Sequence, residues 1–163
     1  MMVIGNYIVH SGHGVCTIVD KKYNESMNKN FFYLKTISNN MSIMIPEDKV
    51  DGFLRPILTK DECLSIIDST TNLEINYKKD NKERKNQFQY LITSNNLIDT
   101  LHLLKNLYAL SEEKKKEKKT LGSFDTQFFQ QAYRKATDEI SIVLEISKSA
   151  ADELITSKLK SLE

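Results

Sequence analysis

The chain is poor in the residues that staple, stiffen or interrupt a fold. Two cysteines, two prolines, five glycines and no tryptophan occur in 163 residues. Cys16 and Cys63 are too few for a disulfide framework, so a reducing compartment is the simpler expectation. No stretch approaches about 18 consecutive apolar residues, so no membrane span is expected. The opening MMVIGNYIVHSGHG has no basic segment ahead of a long apolar run. It does not read as a signal peptide, and a cytoplasmic location is expected. An excess of one charge is also missing: 23 Lys and Arg stand against 22 Asp and Glu, a formal net charge of +1. Bulk charge therefore points to no partner, and any nucleic-acid surface must be a local patch. There is no internal repeat and no Pro/Gly/Ser-rich linker.

What is present is 40% hydrophobic and 28% charged residues, the composition of a globular chain rather than a disordered one. Its hydrophobic pattern changes period partway along. Tyr7, Ile8 and Val9 form a β-favouring run that ends at Ser11-Gly12-His13-Gly14, a turn with two φ-permissive glycines. VCTIV over 15–19 resumes the strand character, a polar stretch over 24–30 reads as a loop, and FFYLKTI over 31–37 reads as a third strand. Asn39-Asn40 turns the chain into MSIMI over 41–45, and Pro46 stops it because proline cannot donate to a ladder. Four or five short strands in about 50 residues suit a small, strongly bent sheet or partial barrel better than a sandwich.

From Thr59 the period becomes helical. Thr59 and Glu62 make a capping box ahead of Leu64, Ile66 and Ile67. A lysine-bearing region over 76–86 leads into a helix with Phe88, Leu91 and Ile92, which Ser94-Asn95-Asn96 breaks. Leu97, Leu101, Leu104, Leu107 and Tyr108 then fall on one face of a strong amphipathic helix. Ser123 is expected to cap a helix with the stripe Phe128, Ala132, Ala136, Ile140 and Val143. Ser149 and Asp152 are expected to start a last one with Leu154, Ile155 and Leu159. The fold class is thus α+β: a β domain over 1–57 and an all-α bundle of about four or five helices over 58–163.

Candidate chemistry is sparse. His10, His13 and Cys16 are spaced by three, but on a strand and turn that spacing does not bring ligands to one side, and no fourth ligand is evident. They read as turn and strand residues with a small buried thiol, and no metal is expected. Cys63, at a helix start, has no histidine nearby in sequence and reads as a packing cysteine. His102, among leucines, reads as the edge of a core. Neither GxGxxG nor GxxxxGK followed by Ser or Thr occurs. No catalytic residue, cofactor or small-molecule substrate is expected, since no second catalytic partner can be named. Two basic clusters remain. SEEKKKEKK over 111–119 reads as the solvated end of the leucine-rich helix. Lys78, Lys79, Lys82, Arg84 and Lys85 gather instead where a helix begins, and there cations oppose the helix dipole. Contact with phosphates would explain that placement.

Four segments carry a resemblance: GNYIVHSGHGVCTIVD over 5–20, FYLKT over 32–36, MSIMIPEDKV over 41–50 and LRPILTKDE over 54–62. In order and spacing they resemble the polymerase-interacting domain shared by CarD-type bacterial transcription regulators and the transcription-repair coupling factor. Asn6 and His10 stand where that pattern has Asp and Tyr. HLLKNLY over 102–108 is similar, more loosely, to a helix of the CarD helical domain. The resemblance implies a Tudor-like β domain that pairs with the RNA polymerase β subunit through the strand holding Ile43, Met44 and Ile45. It also implies a helical domain at promoter DNA, near the upstream edge of the melted bubble, that modulates open-complex stability. There the family wedges a tryptophan into the minor groove. This chain has none, and its matching window, 80–82, offers Lys82 beside Arg84 and Lys85 as backbone contacts. The alternative is a protein–protein adaptor whose helices do not touch DNA, which the missing tryptophan and near-zero net charge favour.

Overall fold

The computed structural model describes residues 2–160. The chain divides into two compact units on either side of the Leu58–Thr59 link. The architecture is α+β, a five-stranded antiparallel sheet followed by helices.

In the first unit, β1 (Tyr7–His10), β2 (Gly14–Asn24), β3 (Lys29–Thr36) and β4 (Ser42–Pro46) run as a meander. A 3-10 turn (Glu47–Lys49) and a single helical turn, α1 (Val50–Phe53), then bring back β5 (Leu54–Pro56) to pair with β1. The sheet order is therefore β4-β3-β2-β1-β5. One face is built by strict alternation: Ile8, Cys16, Ile18, Phe32, Leu34, Ile45 and Leu54 form a single buried cluster. A register shift between Ile18 and Asp20 bulges β2, leaving Val19 exposed. The loop expected over 24–30 is shorter than that: Asn24, Lys29 and Asn30 belong to the strands, and only four residues turn between Asn24 and Lys29. Asn28, at φ 53°, supplies the left-handed step that so tight a reversal needs. The segment LRP forms β5, a strand that its short length had hidden from the period-two pattern.

The second unit holds α2 (Lys60–Ser69), α3 (Asn81–Thr93), α4 (Leu97–Lys116), α5 (Ser123–Leu144) and α6 (Lys148–Lys160). The Thr59–Glu62 capping box is complete in both directions. Asp80 and Asn96 cap α3 and α4 by accepting from the backbone N–H three residues on. Two expected caps shift by a residue or two. Gly122 occupies the N-cap of α5 and Ser123 lies inside the helix, while Ser147, not Ser149, accepts from Ala150 N at 3.0 Å to start α6. The stripe Phe128, Ala132, Ala136, Ile140 and Val143 is buried throughout. Phe88 meets Phe128 edge-on with centroids 6.0 Å apart, joining α3 to α5. Around this apolar centre runs a set of buried polar ties. Lys105 donates to the carbonyls of Thr70 and Thr71 at 2.9 and 2.8 Å, and Asn106 accepts from Asn76 N at 2.7 Å. Half-buried His102 meets the Glu74 carbonyl at 2.8 Å, so three side chains of α4 fasten the irregular segment ahead of α3. Among the described residues, no helix is long and apolar enough to cross a membrane.

Candidate interaction surfaces

The first unit ends on one side in β4, a border strand whose outer flank has no partner within the sheet. Thr36 N donates to Met41 O, and the ladder then pairs Leu34 with Ile43 and Phe32 with Ile45. In an antiparallel ladder the hydrogen-bonded pairs alternate with pairs whose main-chain groups point away. Ile43 and Ile45 therefore spend their backbone groups on β3, and Ser42 and Met44 turn theirs to the open flank. Pro46 adds a carbonyl there but no N–H. Side chains alternate in the same rhythm. Ile43 packs against the buried cluster and Ile45 lies within it, whereas Met44 is 48% exposed. Tyr33 sits opposite Met44 on the outer face, with the Lys22 ammonium 5.4 Å from its ring centre. The three residues expected to dock thus have two jobs: Ile43 and Ile45 fix the strand, and Met44 faces outward.

The second surface is the start of α3. The helix begins at Asn81, so Lys82, Arg84 and Lys85 lie on its first turns and only Lys78 and Lys79 precede it. Lys82 and Lys85 are exposed. Arg84 is not: it is 8% exposed, and its guanidinium is engaged on every side. Nε and Nη2 donate to the two carboxylate oxygens of Asp125 at 3.1 and 2.9 Å, a bidentate pair between the starts of α3 and α5. Nη1 donates to the carbonyls of Lys78 and Lys79, and Nη2 also reaches Asn81. Arg84 therefore shapes the basic segment from within instead of offering its charge to a ligand, which corrects its expected place among the DNA-facing residues. Sequence spacing alone could not separate it from Lys82 and Lys85; the separating partner, Asp125, is 41 residues away. Lys85 lies with Nζ 4.1 Å from the centre of the Phe124 ring, an aromatic that is 53% exposed. The lysine-rich run at 111–119 covers the last turns of α4, which ends at Lys116, and the turn just after it, with Lys115 paired to Glu112 at 3.1 Å.

The histidine and cysteine candidates are committed elsewhere. His10 Nδ1 accepts from the backbone N–H groups of Gly12 and His13 at 3.0 and 3.2 Å, clamping the β1–β2 turn, and its ring stacks on Phe53. Cys16 and Cys63 are fully buried, and burial pushes both thiols up to about 11. Glu139 adds a repulsive charge against a Cys63 thiolate. Among the described residues, no cluster of three or more His, Cys, Asp or Glu side chains is arranged to hold a metal ion.

Among curated proteins, none matches this chain. Residues 2–58 match the family model of the CarD-like/TRCF RID domain, an RNA polymerase-interacting domain. That stretch coincides with the β unit and stops where the helical unit starts. The match supports polymerase binding and a transcription-related role for the unit that carries the open β4 flank.

Proposed function

We propose that this chain is a non-enzymatic transcription regulator that docks on the RNA polymerase β subunit through β4 and touches promoter DNA through the start of α3. The observation that carries the reading is the coincidence of the 2–58 match with an unpaired border strand. Such a strand recruits a partner strand by main-chain hydrogen bonds, with alternate side chains adding selectivity. Here Ser42 and Met44 supply the outward main-chain groups, and Met44 and Tyr33 supply a soft, adaptable contact. Lys82 and Lys85 reach DNA phosphates near the upstream edge of the bubble, and open-complex lifetime is the quantity they change. With Arg84 withdrawn into its pair with Asp125, the charge offered is small. The contact is therefore weakly sequence-specific backbone binding in which the polymerase interaction supplies most of the affinity.

Titration calorimetry of the full chain against the isolated polymerase β subunit tests the docking half. Binding at micromolar concentration, lost when β4 is altered, is expected; no heat at all would sink it. The engagement of Arg84 lends weight to a second reading, an adaptor whose helices bind protein instead of DNA. A polymerase–promoter footprint separates the two, since only the first extends protection upstream of the bubble.

A further inference from the structure

The outward face of α5 carries an arrangement that polymerase docking and two phosphate-facing lysines leave unused. Phe124, Gln127, Gln131 and Arg134 follow one another at spacings of three and four, with Gln130 alongside, so they share one stripe of the helix. The three glutamines are exposed, and with Arg134 they line a shallow hollow of about 350 Å³. A second hollow of about 270 Å³ adjoins it and brings in Lys85 and Phe124. Among the described residues, no hydrogen bond or ion pair engages the side chains of Gln127, Gln130, Gln131 or Arg134. Gln87 on α3 behaves in the opposite way: its amide is locked between Lys78 N and the Asn76 carbonyl. Open to solvent, each of these carboxamides keeps both a donor and an acceptor available to a ligand with paired groups of its own.

We propose that this stripe of α5 reads base edges in a DNA major groove, with preference for adenine–thymine pairs. The inference rests on the DNA-contacting reading and adds sequence discrimination to it. Charge selects the class of partner, because the two hollows are lined by Arg134 and Lys85 and by no carboxylate. Dimension fits as well: the major groove, about 12 Å wide, admits a helix. Chemistry selects the bases. A glutamine amide matches the N6/N7 edge of adenine with two hydrogen bonds, and a phenylalanine ring suits the thymine methyl group. Lys85, beside the stripe, and Lys82, three residues before it on α3, hold the phosphates on one flank, and Arg134 lies at the other end of the row.

The test uses the full chain and a library of short duplexes with a randomised centre, selected for binding at two salt concentrations. Enrichment of an A·T-containing motif is expected with the wild-type chain. The double variant Gln127→Ala/Gln131→Ala loses that discrimination, by about fivefold to a hundredfold between best and worst sequences, with its salt slope unchanged. Lys82→Ala/Lys85→Ala weakens all sequences alike and flattens the slope. Binding without any preferred sequence, or a preference that survives the glutamine double variant, overturns the base-reading stripe and leaves the phosphate contacts standing. Absence of salt-dependent binding to every duplex overturns both. All four positions are solvent-facing, and unchanged thermal melting confirms that the variants are folded.

Discussion

The two units offer surfaces made of different material. The β unit presents a backbone: along β4 the outward groups are N–H and C=O, and the chain fixes their positions whatever the side chains are. The helical unit presents side-chain tips: two ammonium groups at the start of α3 and a row of amides on α5. A backbone edge binds through geometry and is little affected by salt, whereas exposed charges act through counterions and fade as salt rises. The contrast teaches that the same kind of substitution should act differently on each. Side-chain truncation will hurt the helical surface more than the β4 edge, and removal of a main-chain donor will do the reverse.

The largest expected effect lies beneath the helical surface. Arg84→Ala leaves Asp125 buried without its partner and releases the carbonyls of Lys78 and Lys79. Breaking one side of a buried pair costs about 3–5 kcal/mol, read as a lower urea midpoint. Arg84→Met combined with Asp125→Leu should recover much of that loss, because no charge is then stranded. Full stability of the single variant would show that Arg84 is not an internal strut. Next comes Met44→Pro, which deletes the outward N–H at the centre of β4 while the buried pairs at Ile43 and Ile45 remain. Loss of that hydrogen bond, with its partner left unpaired, costs about 1–3 kcal/mol, a fall in affinity for the polymerase β subunit of roughly fivefold to 150-fold. Met44→Ala, which keeps the main chain, should cost only a few-fold. If Ala hurts more than Pro, the edge is not read through its backbone.

Lys82→Ala/Lys85→Ala should lower DNA affinity several-fold at low salt and reduce the slope of log K against log salt by roughly 2, about 0.9 per phosphate contact. Polymerase affinity should not change. A salt slope that stays the same would favour the adaptor reading, in which the helices meet protein.

How much of this was legible in the sequence follows from the range of the interactions involved. The strands and helices came from alternation and from stripes such as Phe128 to Val143, because burial of one face is written locally as a period. Thr59 and Glu62 announced a helix start for the same reason: both partners lie within four residues. Gly122 and Ser147 displaced the expected caps by one or two residues, the range over which a local pattern leaves a helix boundary loose. The role of Ile43 and Ile45 was readable in part, since once a strand's inward face is known its outward members follow. Arg84 was not readable at all: lysine and arginine in one run look equivalent until α5 brings Asp125 against one of them. The α5 amide row has no local signature, because glutamine on an exposed helix is unremarkable by composition. Its interest comes from what the amides do not touch.

The smallest expected effect is a silence, and it compares the units directly because each holds one cysteine. Cys16 belongs to the β unit and Cys63 to the helical unit, and both are fully buried. Thiol reagents attack the thiolate, and with both groups pushed up to about 11, roughly one thiol in a thousand is ionised near pH 8. Native protein should therefore label slowly at both sites, at the rate each unit opens. The same shift fixes a pH dependence. Between 9.0, the ordinary value, and about 11, the unfolded chain sheds these protons while the native chain keeps them. Stability must then fall as pH climbs through that window. Mass-resolved labelling against urea would give two opening curves. If Cys63 labels at low urea while Cys16 stays protected, the helical unit opens independently of the β unit. Coincident curves would mean that both surfaces are lost in one cooperative step. Rapid labelling of either thiol without urea would contradict its burial.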